Sequence, residues 1–359
     1  MSYFEKFDEL RLSASADFHV HLRDGTMMKT VVPTIRAGGV NTVYVMPNLN
    51  PPLTSLLDAL AYKERLQQED PSITYLMTMY LHESITPEMV VEAKAHGIMG
   101  IKSYPAGVTT NSSSGVLSYE PFYPVFAAME KCGMVLNLHG ECPSDHEKDI
   151  TILNAEHKFL PTLLKLHSDF PALKIVLEHC TTKAAIDTVR ECGPNVVGTI
   201  TVHHLFLTVD DWADNVHHFC KPVAKWPSDR AALIKAAIDG TGKFFLGSDS
   251  APHDIAAKQS KTGKTCAGVF TQPYVTQFFL EALEQSAKDG IISPDTVTKE
   301  ILGGFLGDYG RSFYGVTSGH SEHIVLHKRN EIIQESFTGE GVEVVPFRRG
   351  KSVWSITWT

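Results

Sequence analysis

Several features are scarce in this chain, and each scarcity removes a class of protein. No run of about 18 apolar residues occurs, so no membrane-crossing helix is expected. There is no basic surplus: 32 Lys and Arg stand against 41 Asp and Glu, a formal net charge of −9. A nucleic-acid surface needs the opposite balance. Long runs of one sign are also missing. The segment Met1–Phe18 carries acidic residues where a secretory signal would be apolar. No CxxC pair occurs among the six cysteines, Cys132, Cys142, Cys180, Cys192, Cys220 and Cys266. Scattered in this way they read as reduced thiols, which points to a cytoplasmic protein. What remains is a chain of 359 residues, 43% of them hydrophobic, with material for a large core. A negatively charged substrate would need local cations to bind such an acidic protein.

Short apolar runs alternate with amphipathic stretches from end to end. The runs are 16–21, 41–48, 73–82, 98–104, 134–140, 173–179, 196–203 and 244–249, eight candidate strands. Helix signals lie between them. Thr86-Pro87 pairs a cap with proline at the first helical position, and Gly97 follows the last turn. Ser55 with Asp58 resembles a capping box, and Ser228 opens an alanine-rich helix that stops near Gly240. Strand–helix alternation implies a parallel sheet, and eight strands suggest closure, so the expected fold is an α/β (β/α)8 barrel of the TIM type. An open doubly wound sheet is the alternative. Residues 1–359 read as one barrel domain, with 318–359 as a C-terminal appendage. Pro105–Gly115 is the one polar, flexible-looking segment.

In a barrel the C-terminal strand ends converge on one mouth, where active sites form. Here those ends carry His19 and His21, Asn48, Lys102, His139, His179 and Asp249. His19 and His21 are two apart on a strand and so face the same way. A lone HxH is weak evidence, and single histidines are weaker. The coincidence carries the weight: four imidazoles and a carboxylate at the ends of one barrel suit zinc with an open position. Lys102 taken alone reads as a stem lining the barrel with its head in solvent. Beside a metal, desolvation and nearby cations would lower its pKa. A neutral amine can take up carbon dioxide, and the resulting carbamate could bridge two metals.

The stretch Asp17-Phe18-His19-Val20-His21-Leu22-Arg23 resembles the opening motif of the amidohydrolase superfamily, and more narrowly of the dihydroorotases. Met46-Pro47-Asn48, Lys102-Ser103-Tyr104-Pro105, Asn137–Glu141, Glu178-His179 and Gly247–His253 continue the match in order. It covers nearly the whole chain and is closest to the short, free-standing class II type. The longer class has an N-terminal β segment, for which the residues before His19 leave no room. The resemblance implies that His19, His21 and Asp249 hold one zinc ion and His139 and His179 a second. N6-carboxylated Lys102 and a hydroxide would bridge them. Arg23, Asn48 and His253 would bind a substrate carboxylate. Thr109 and Thr110 would close over the substrate, and Ala251, Ala267 and the backbone near Lys221 would line the ring pocket. Lys221 and Ala267 match least closely. Asp249 would be the catalytic acid and base. The implied reaction is reversible cyclisation of N-carbamoyl-L-aspartate to L-dihydroorotate, a step in making UMP. The expected partners are that small molecule and a second copy in a homodimer, with no nucleic acid and no membrane.

Three other readings stay open. A hydantoinase or allantoinase shares the HxH, lysine and aspartate set. A single-metal deaminase would leave Lys102 idle. A barrel without catalysis would usually have lost some ligands. His82, His203 and His204 exceed the ligand count and read as polar residues at the mouth. Cys180 should face away from it, and His217-His218 reads as helix surface.

Overall fold

The computed structural model describes residues 4–261, 263–319 and 321–359. A short strand β1 (Arg11–Ser13) precedes eight parallel strands that pair in sequence order. These are β2 (Ser15–Val20), β3 (Val40–Val45), β4 (Thr74–Tyr80), β5 (Gly100–Ser103), β6 (Val135–His139), β7 (Ile175–Glu178), β8 (Val196–Ile200) and β9 (Phe244–Leu246). Each overlaps one of the eight apolar runs. The seam between the last strand and the first is closed by the residues just past β9. Asp249 N–H donates to His19 O at 2.9 Å, and His21 N–H to Ser250 O at 3.0 Å. Asp17 accepts from Ser248 N at 2.8 Å and Ser248 Oγ at 2.5 Å across the same seam. The sheet is a nearly closed barrel, which rules out the open doubly wound alternative.

Alternation along the strands sorts side chains into two shells. Leu136, Leu138, Ile175 and Leu177 face outward into the core beneath the helices. Val135, Val176, Val197, Tyr44 and Phe245 face inward and form a separate cluster. Tyr314, from the helix Tyr309–Tyr314, enters this cluster from below. Its ring stacks on Phe18 at 5.2 Å and lies 4.7 Å from Tyr44. The lower end of the barrel is therefore plugged by aromatic rings.

β2 breaks the alternation at a useful place. Asp17 pairs with Val43 but Val20 with Val45, so β2 spends one residue more than β3 over this stretch. Such a bulge reverses which side chains face in. Phe18 joins the inner cluster, Val20 the outer core, and the histidines on either side of Val20 reach the mouth.

The helix caps follow the sequence reading with one shift. Thr86 Oγ1 accepts from Met89 N at 3.3 Å, and Ser55 Oγ from Asp58 N at 3.2 Å. The alanine-rich helix runs Pro227–Ala237, so proline occupies its first position and Ser228 lies inside it. The tail contributes β10 (His323–Ile332), the hairpin β11 (Phe337–Gly339) and β12 (Val342–Val344), and β13 (Ser352–Trp358). β10 pairs antiparallel with both β13 and β1. The N-terminal segment thus does supply a strand to the tail's sheet, contrary to the expectation that it had no room. Three residues suffice because β10 offers an open edge.

Candidate active site

The upper end of the barrel differs from the lower in every physical respect. Just above the aromatic plug lies a polar layer. Tyr44 Oη donates to Asn137 Oδ1 at 2.6 Å, and Asn137 Nδ2 donates to Tyr314 Oη at 2.8 Å and Glu178 Oε1 at 2.7 Å. Glu178 Oε2 accepts from Thr199 Oγ1 at 2.6 Å and from His19 Nδ1 at 2.9 Å. Above that layer stand His19, His21, Lys102, His139, His179 and Asp249, all buried. His19 and His179 lie 5.0 Å apart between ring centres, His139 and His179 4.6 Å. Backbone strain concentrates here as well. His179 (φ 42°), Asp249 (φ 47°) and Arg23 (φ 59°) adopt the left-handed conformation although none is glycine. Each such residue costs on the order of 1–3 kcal/mol, which the surrounding structure must offset.

The hydrogen bonds leave a metal-ready set of atoms. His19 uses Nδ1 on Glu178, and its Nε2 lies 3.4 Å from Asp249 Oδ1 without making a hydrogen bond. His21 uses Nδ1 on Asn48 Oδ1 at 2.9 Å, and its Nε2 lies 3.0 Å from Asp249 Oδ1. His139 gives Nε2 to Glu141 at 2.9 Å, which leaves Nδ1 as the lone-pair nitrogen. Outer partners of this kind set the tautomer of a ligating histidine. Among the described residues His179 Nδ1 and Lys102 Nζ are buried without a hydrogen-bond partner. Ligand atoms of His19, His21 and Asp249 lie within 4.8 Å of one another. Buried orphan donors are costly in a folded core, and a cation held among these atoms would relieve that cost. The residues present fit a metal centre.

Charge is tuned to match. Burial pushes the Lys102 ammonium down to about 8, against the pull of Glu178 and Asp249. Burial alone would raise Asp249, yet the neighbouring His19 and His21 hold its carboxylate well below the usual range. Burial, with His139 and Lys102 close by, keeps His179 neutral well below the ordinary imidazole range.

Beside this centre, Arg23 Nε donates to Pro252 O at 3.0 Å, and Arg23 Nη2 lies 3.1 Å from His253 Nε2. His253 Nε2 is also 2.9 Å from Ala267 O, which can only accept. Burial and the Arg23 charge press the imidazole of His253 down to about 2. Among the described residues no ion pair holds Arg23. Asn48 is occupied otherwise: beyond His21, its Nδ2 donates to Thr110 O at 3.0 Å, and its carbonyl accepts from Asn111 Nδ2 at 2.9 Å. Lys221 Nζ donates to Val108 O at 2.8 Å. These bonds dock the segment 105–115 at the mouth by two main-chain carbonyls and the Asn111 side chain. No protein hydrogen bond holds the hydroxyl of Thr109 or Thr110 among the described residues. Ala251 is buried next to Gly268, where an added Cβ would come within 2.3 Å of Ala251 O.

The remaining histidines divide. His204 is a buried strut, with Nδ1 2.7 Å from Thr201 Oγ1 and Nε2 3.1 Å from Pro222 O. His203 is fully buried beside it. Both rings are shut off from solvent, so neither lines an open mouth. Half-buried His82 bonds Ser84. His217 and His218 sit half-buried in the single turn Val216–His218 rather than on a helix face, with His218 against Phe347 at 5.5 Å. Cys180 faces the outer core, as expected. Asn137, Glu141, Glu178 and Thr199 have no role in the sequence reading. Asn137 is within reach of it, two residues before His139 on the same strand face.

An eight-stranded parallel barrel with such strand ends is a (β/α)8 barrel of the amidohydrolase kind. Its likeness to an L-hydantoinase from Arthrobacter aurescens, at TM-score 0.77 and 15% identity, covers 96% of this chain and 87% of that one and reflects the fold alone. No family model matches the chain. It is 49% identical over 351 residues to a probable dihydroorotase of Schizosaccharomyces pombe, covering 97% of this chain and 99% of that protein. A dihydroorotase of Saccharomyces cerevisiae, solved with 5-fluoroorotic acid, matches at TM-score 0.90 and 44% identity, covering 98% of this chain and 99% of that one. The chain belongs to the dihydroorotase family and is an enzyme acting on the C–N bonds of cyclic amides. No helix among the described residues is long and apolar enough to cross a membrane.

Proposed function

We propose that the chain interconverts N-carbamoyl-L-aspartate and L-dihydroorotate, with ring closure as the biosynthetic direction toward UMP. One observation carries this reading: half-buried Arg23, free of any ion pair among the described residues, stands with His253 beside the His–Lys–Asp centre. A guanidinium offers a two-pronged grip on a carboxylate, and both the open and the closed substrate carry one. In the same reading His19, His21 and Asp249 hold one zinc ion, His139 and His179 a second, and Lys102 joins them as its carbamate. When bound, such ions acidify water and polarise an amide carbonyl. Asp249 moves the proton. In ring opening it takes one from the attacking water and gives it to the leaving ring nitrogen. In ring closure the ureido nitrogen attacks the side-chain carboxyl carbon, and Asp249 carries the nitrogen's proton to the departing carboxyl oxygen, which leaves as water with one further proton taken up from solvent.

Arg23 and His253 hold the α-carboxylate, joined by Asn48 when its amide turns from Thr110. Ala251, Ala267 and the backbone at Lys221 take the ring. Thr109 and Thr110 cover it, so that water is excluded and the charge interactions strengthen. A cytoplasmic enzyme, acting as a homodimer, completes the reading. The test is metal content and turnover on one purified sample. Two zinc ions per chain, with activity on carbamoyl aspartate and dihydroorotate, are expected. Turnover of hydantoin or allantoin in their place would overturn the substrate assignment.

A further inference from the structure

Lys258 closes the short helix Ile255–Lys258 and is 4% exposed. Among the described residues no carboxylate meets its ammonium. Instead Nζ donates to three main-chain carbonyls, Phe219 O at 3.0 Å, Cys266 O at 2.9 Å and Gly268 O at 2.8 Å. An ammonium has three N–H donors, so every one is used on backbone. A buried cation without a counter-charge is costly, and an apolar residue would fill the space more cheaply. The three carbonyls belong to two separate segments, one following the β8 region and one following β9. Gly268 N–H also donates to Phe219 O at 3.0 Å, so the two segments are tied at one point.

Geometry turns that tie into orientation. The C=O and N–H of a trans peptide point in opposite directions within one plane. With Cys266 O drawn to Lys258, the N–H of Ala267 faces away from it. With Gly268 O drawn the same way, Ala267 is pinned on both sides, and its own carbonyl meets His253 Nε2 at 2.9 Å. Lys221 follows Phe219 by two residues on the other tied segment.

We propose that Lys258 is a positioning residue for substrate recognition, an ammonium staple that sets the backbone of Lys221 and Ala267 at the ring pocket. The proposal rests on the assignment of those two segments to the pocket. It predicts that loss of the staple weakens binding while the zinc centre and the proton transfer by Asp249 continue.

The test uses the full-length, zinc-loaded enzyme. Lys258→Met should raise KM for carbamoyl aspartate about tenfold or more, the scale of one lost hydrogen bond with its partner left unpaired. It should also weaken inhibition by 5-fluoroorotate by a similar factor, keep kcat within about threefold and leave metal content unchanged. Lys258→Arg, which keeps charge and donors, should recover part of the KM. If Lys258→Met does not fold, Lys258→Gln takes its place with the same expected split. Wild-type KM in a folded variant, or kcat and metal falling together, would overturn the proposal. So would failure of both neutral variants to fold, since Lys258 would then be a folding residue. Arg23→Met run alongside separates the two levels: an unchanged KM there removes the pocket assignment itself, whatever Lys258 does.

Discussion

The two ends of the barrel were built by opposite rules. At the lower end Phe18, Tyr44, Phe245 and Tyr314 fill space with rings, and their packing stabilises the fold. At the upper end His19, Lys102 and His179 carry buried nitrogens with no hydrogen bond, and His179 and Asp249 carry strained backbone. The lower end is what a stable barrel needs, and the upper end is what that stability supports. Stability and activity should therefore separate when either end is altered.

The largest separation is expected at Lys102. Lys102→Ala should abolish nearly all turnover and release at least one metal ion, while the apo protein still folds, because Nζ makes no hydrogen bond on which the fold depends. Added short carboxylic acids should restore some activity by standing in for the carbamate proposed at Lys102. Full turnover with both metals would break the comparison from above.

Phe245→Ala attacks the other end. A fully buried aromatic truncated in a packed cluster should cost about 3–5 kcal/mol of stability. Denaturant unfolding measures the loss, and metal content and kcat of the folded fraction should remain near those of the parent. A variant with parental stability but low kcat would show that the plug shapes the site directly.

Arg23→Met should leave zinc in place and weaken kcat/KM by about 2–5 kcal/mol, the range for removing one partner of a buried charge pair. Steady-state kinetics with carbamoyl aspartate measures it, and a change confined to kcat would count against carboxylate binding.

The smallest effect is a stability cost on the mouth side. Glu156 accepts from Thr181 N at 2.8 Å and Thr182 Oγ1 at 2.5 Å, fixing the turn after His179. Burial pushes its carboxyl up to about 7, against an unfolded value of about 4.3. The folded chain then keeps a proton that the unfolded chain has released, so this stability is full below about pH 4 and is lost as pH rises to about 7. Glu156→Gln keeps the shape without the charge. It should be more stable than the parent at pH 8 by about 2 kcal/mol, with the gap closing near pH 5. Equal melting curves at both values would place the carboxyl in better solvated surroundings.

Much of the molecule is legible along the chain itself. Eight apolar runs with helix signals between them predict the barrel because burial on both faces of a parallel strand demands such runs. The caps at Ser55 and Thr86 are legible because capping is local chemistry. His19 and His21 are legible as a pair because side-chain direction along a strand has a period of two. The partners of the ligands are harder. Glu141 and Glu178 lie in the matched motifs, yet nothing along the chain says which ring nitrogen each carboxylate meets. Arg11–Ser13 escapes notice because a three-residue strand has no periodicity to read.

The order of residue types along the chain therefore determined the strands, the helix starts and which side chains can reach one mouth, since these follow from local geometry and from burial. Only tertiary structure decided the bulge between Asp17 and Val20, the tautomers imposed by Glu178, Asn48 and Glu141, and the three carbonyls gathered on Lys258. Each of those depends on atoms brought together from distant parts of the chain, and such contacts exist only once the barrel has closed.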